Sequence, residues 1–97
     1  MNFEEYKQQI DMWQDNAFAL GITLSNGKPL PMTFWKVMLG IKRKVHQDMY
    51  NGKHKTITAT VSPFIVRTIE VINLLPDPIF IEEVKRCVPL FEADKTS

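Results

Sequence analysis

The chain has a single cysteine, Cys87, and only four glycines, Gly21, Gly27, Gly40 and Gly52, all far apart. One thiol cannot close an intramolecular disulfide or build a cysteine-rich zinc site, so the expected compartment is a reducing cytoplasm. Scattered glycines do not make a phosphate-cradling loop, and Gly52-Lys53 is followed by His54 where such a loop needs Ser or Thr. Apolar runs are short, and none approaches the roughly 18 residues of a membrane-spanning helix. The first residues, Met1-Asn2-Phe3-Glu4-Glu5-Tyr6, are acidic, unlike a secretory or transit leader.

What remains is the composition of a folded globule. The 97 residues are 44% hydrophobic and 24% charged, which argues against a disordered chain and fits one domain over residues 1–97. The periodicity predicts an all-α fold of about four helices. Phe3, Tyr6, Ile10, Trp13, Ala17 and Leu20 recur at steps of three and four, a stripe that only a helix lines up. Gly21 can end that helix in a left-handed conformation. Asn26-Gly27 marks a turn, while Pro29 and Pro31 argue against a second strand after it.

A second helix is expected from Met32 to Tyr50, with Thr33 as cap. Phe34, Met38, Ile41, Val45 and Met49 lie inward, and Lys36, Arg43 and Gln47 face solvent. Gly40 falls inside it, at a cost of about 1 kcal/mol relative to Ala. Asn51-Gly52 ends it. Residues 56–61 alternate Ile57, Ala59 and Val61 with threonines, and they read as an extended loop over the helices or one short strand. Ser62-Pro63 and Asp77-Pro78 are two cap-plus-proline starts. The helix from Phe64 to Leu75 reads as mostly buried. The last carries Phe80, Val84, Cys87, Val88 and Phe91 on one face, with Pro89 expected to kink or end it near Cys87. Residues 92–97 read as a frayed tail.

Charge is distributed in blocks. Residues 1–20 hold four acids against Lys7, and residues 70–97 hold six acids against three bases. Between them, residues 36–55 hold six bases against Asp48, a net +5 in twenty residues. Lys42, Arg43, Lys44 and His46 read as exposed on the second helix, extended past its end by Lys53, His54 and Lys55. Mobile cations over an extended surface suit phosphates or an acidic protein. If these residues belong to the last turns of a helix, the dipole favours cations there without any ligand.

No catalytic constellation stands out. Cys87 sits on an apolar stripe, where a free cysteine packs as a small hydrophobe. Glu82 and Glu83 are adjacent and point apart on a helix. His46 and His54 are too weak a pair to imply a metal ion. No catalytic residue, metal or cofactor is therefore expected. The expected function is that of a small regulatory or adaptor protein, monomeric or homodimeric, that binds a larger protein. The alternative is a nucleic-acid-binding accessory protein acting through residues 42–55. Trp13 and Trp35 are candidate interface anchors, since tryptophan is enriched at interface centres. No membrane partner is expected. A short chain without motifs also fits a phage or mobile-element product.

Overall fold

The computed structural model describes residues 1–52 and 60–94. Among the described residues, five helices carry the fold: α1 (Phe3–Ala19), α2 (Trp35–Leu39), α3 (Arg43–Asn51), α4 (Pro63–Asn73) and α5 (Asp77–Ala93), with a 3₁₀ turn at Met32–Phe34 leading into α2. There is no strand among the described residues, and the fold is all-α as expected. One hydrophobic cluster joins all five helices.

Local chemistry explains where α1 begins. The Asn2 side chain accepts the Glu5 N–H at 2.8 Å, and the Glu5 carboxylate accepts the Asn2 N–H at 3.0 Å. This reciprocal pair satisfies two amides that the first turn would otherwise leave open. The expected stripe is the buried face: Phe3, Tyr6, Ile10, Trp13 and Ala17. After Gly21 the chain makes a tight turn through Asn26-Gly27. Its flanks touch in a single bridge between Thr23 and Pro29, and Ile22 and Leu30 are buried beneath it.

The second expected helix is two helices, because Gly40 breaks it. Gly40 takes a left-handed conformation (φ 67°, ψ 32°). The Ile41 N–H bonds to the Lys36 carbonyl at 3.0 Å, and the Gly40 N–H bonds to the Val37 carbonyl at 3.2 Å. These paired bonds form the helix-ending motif that glycine permits, since a side chain is disfavoured at positive φ. Lys42 is then extended (φ −75°, ψ 151°), and α3 starts at Arg43. The expected cap at Thr33 is absent, as this segment is entered through an extended Pro31 without a side-chain cap.

The Ser62-Pro63 start is as expected: the Ser62 hydroxyl accepts the Phe64 N–H at 3.3 Å. Asp77 does not cap α5 but occupies its first turn, behind Pro76. Pro89 does not end α5, which runs on to Ala93. Val84 and Val88 are buried on one side of it, and Phe91 meets Phe34 edge to face at 5.7 Å. This packing outweighs the backbone bond that proline cannot donate.

The tail expected to fray is anchored as far as the described residues go. Glu92 accepts bonds from the Ser25 N–H and hydroxyl at 3.1 and 2.5 Å. Asp94 pairs with Lys36 at 2.5 Å. Of the segment 56–61, only Thr60 and Val61 lie within the described residues. Thr60 forms an isolated bridge with Asn2, and the Val61 N–H donates to the Met1 carbonyl at 2.9 Å.

Both tryptophans are interior, so neither is a surface anchor. Trp13 is 3% exposed and Trp35 fully buried. Their rings lie 5.5 Å apart, and Trp35 also stacks on Phe80 at 6.4 Å. Each indole N–H finds a side-chain acceptor at the edge of the core, which lets so large a polar-tipped ring be enclosed. Trp13 donates to Asn73 and Trp35 to Gln14, both at 2.8 Å.

Candidate functional site

Breaking the second helix at Gly40 changes the meaning of the basic segment. Lys42, Arg43 and Lys44 do not close a helix; they open one. Lys42 is the extended residue before α3, and Arg43 and Lys44 form its first turn, with no acid in that turn and no side-chain cap. The opening amides of a helix lack internal acceptors and carry partial positive charge. Acids are favoured there, and each cation at that end is disfavoured by a few tenths of a kcal/mol up to about 1 kcal/mol. The dipole therefore does not explain this cluster.

A cleft of about 540 Å³ lies at the junction of α2 and α3. Ile41 to Lys44 form one wall, and Lys36 and Asp94 the other. Lys36 is a residue that the sequence reading placed in solvent. It is instead 2% exposed, its ammonium 2.5 Å from the Asp94 carboxylate and 6.0 Å from the Phe91 ring centre. The cleft thus already seats one carboxylate, supplied by the end of α5, beside three surface cations.

His46 does not join them. It is 1% exposed and turned inward, its Nδ1 2.7 Å from the Tyr6 hydroxyl. Helical geometry explains the placement: His46 and Met49, three residues apart, share the buried face of α3 that packs on α1, and Lys44, two residues before His46, lies on the opposite face. Lys53, His54 and Lys55 lie outside the described residues. Gly52, which closes α3, stands at the end opposite Lys42.

The sequence reading missed a second surface. The helix expected to be mostly buried, α4, fully buries only Ile69 and Ile72. Phe64 is 85% exposed, Leu74 77% and Val71 45%. A groove of about 450 Å³ runs between α4 and α5, past Val71, Leu75 and Ile79, with Met38 and Cys87 among its lining. One signal was available. Between Phe64 and Leu75, α4 carries apolar residues on every side, more than a single core-facing stripe needs. Cys87 is half-buried there. Burial, reinforced by Glu83, pushes its thiol above the usual range, which disfavours the nucleophilic thiolate.

Among the described residues no three His, Cys, Asp or Glu side chains gather in a metal-binding group. No described helix is long and apolar enough to cross a membrane. No protein-family model, curated protein or solved structure matches this chain.

Proposed function

We propose that this chain is a small, non-catalytic regulatory protein of the cytoplasm that docks an acidic segment of a larger protein in the cleft between α2 and α3. One observation carries the reading: three consecutive cations, Lys42, Arg43 and Lys44, crowd the positive end of α3 beside a seat occupied by the carboxylate of Asp94. Lys42 and Lys44 are exposed there, the dipole of α3 disfavours their charge, and an anionic partner offsets that cost. Carboxylates suit the site because the chain's own carboxylate already binds there.

Nucleic acid is the second reading, favoured by the affinity of helix N-termini for phosphate. The exposed cations at this end span about one helical turn, which supports about three phosphate contacts and a correspondingly shallow salt slope.

Fluorescence anisotropy with a labelled glutamate-rich peptide and a labelled DNA duplex, across a salt series, separates the two. Peptide binding that weakens with salt and disappears in a Lys42→Glu, Arg43→Glu, Lys44→Glu variant supports protein docking. Duplex binding lost in the same variant, without peptide binding, moves the assignment to nucleic acid. Binding of neither at low salt removes both.

A further inference from the structure

The outer face of α4 is separate from the basic cleft and has no covering among the described residues. Phe64, Arg67, Val71 and Leu74 follow at steps of three, four and three, so they form one exposed stripe along the helix. Three of the four are apolar. Arg67 stands in the middle of the stripe and Glu70 at its edge, and neither forms an ion pair with a described residue.

We propose that this face is covered by a second copy of the chain, with the two α4 helices antiparallel about a two-fold axis. A closed dimer needs a self-complementary patch, in which each residue meets the residue that meets it in return. The α4 stripe meets that condition in one register. With the axis near Ile69, Phe64 lies opposite Leu74 of the partner subunit. Arg67 then comes within one residue of Glu70 of the partner subunit, and symmetry forms the same ion pair a second time. A slip of four residues in one direction sets Arg67 against Arg67, and a slip of two residues in the other sets Glu70 against Glu70, so charge selects the register that the apolar ends also favour. The groove beside α4, between Val71, Leu75 and Ile79, gives the partner's phenyl ring an apolar seat at that end.

Sedimentation of the full chain across a concentration series tests this. The wild type should pass from monomer to dimer as concentration rises. Leu74→Glu should be monomeric throughout, with an unchanged helical circular dichroism spectrum because Leu74 is exposed. Arg67→Glu and Glu70→Arg should each raise the dimer Kd by about tenfold or more, through like-charge contacts made twice. The double reversal, Arg67→Glu with Glu70→Arg, should restore it. A wild type that stays monomeric up to its solubility limit, a Leu74→Glu protein that still dimerises, or a double reversal no better than the single ones would overturn the proposal.

Discussion

The hydroxyl of Tyr6 lies 2.7 Å from Nδ1 of His46, forty residues further along the chain, and ties α1 to α3 inside the core. A backbone hydrogen bond joins the ring to Met32. With a carbonyl accepting from the ring's one N–H, Nδ1 is left as acceptor and Tyr6 donates to it. Burial, with Lys36 nearby, holds His46 below its ordinary value of 6.5 despite that backbone bond. Burial likewise pushes the Tyr6 phenol upward, so both groups stay neutral.

This pair predicts a pH dependence of stability. A histidine whose folded-state pKa is depressed takes up a proton more readily when unfolded. Stability is therefore fully present above pH 6.5 and is lost as pH falls towards the folded-state value. Urea midpoints measured from about pH 7.5 to 5.5 should decline in the wild type, and His46→Gln should flatten that decline. Parallel curves for the two proteins would show that His46 titrates alike in both states.

Gly40 gives a prediction whose sign separates two structures. Inside a continuous helix, Gly40→Ala would stabilise the protein by about 1 kcal/mol. At φ 67°, where a Cβ meets no neighbour but the backbone conformation is wrong for alanine, it should destabilise by about 1–2 kcal/mol. Chemical denaturation of the single variant reads that sign.

Trp13→Ala should cost about 3–5 kcal/mol, as for other large-to-small changes in a packed core. Trp13→Phe keeps a ring against Trp35 but leaves the Asn73 side-chain oxygen without its indole donor, and should cost less, about 1–3 kcal/mol. Equal stability of all three proteins would place Trp13 outside the core.

Cys87 should resist alkylation. Its raised thiol pKa and half-buried position predict slow reaction with iodoacetamide near neutral pH, accelerating when urea unfolds the chain. Equally fast labelling of the folded protein would revive a nucleophilic role for this residue.

Much of the fold was legible in the chain because it is written locally. The stripe of α1, the Ser62-Pro63 start and the helix-ending glycines are set by neighbours a few residues apart, and all are present in the structure. The break at Gly40 was harder to see, because apolar spacing on either side carries on as if the helix did. That break sets the site: it moves Lys42–Lys44 from the end of one helix to the start of another and turns His46 inward. Lys36 was misplaced for a different reason, since its partner Asp94 comes from the far end of the chain, and no periodicity reports a contact 58 residues apart. The run through Pro89 is similar, decided by tertiary packing around Phe91 against a local rule.

The docking role proposed for the α2–α3 cleft is tested most directly by a backbone amide NMR titration with a glutamate-rich peptide. The amides of Ile41 to Val45 and of Asp94 should shift in a saturable, salt-sensitive way, while those of Phe64 to Leu74 on α4 stay in place. Unmoved amides at the start of α3 at low salt, or shifts confined to α4, would contradict it.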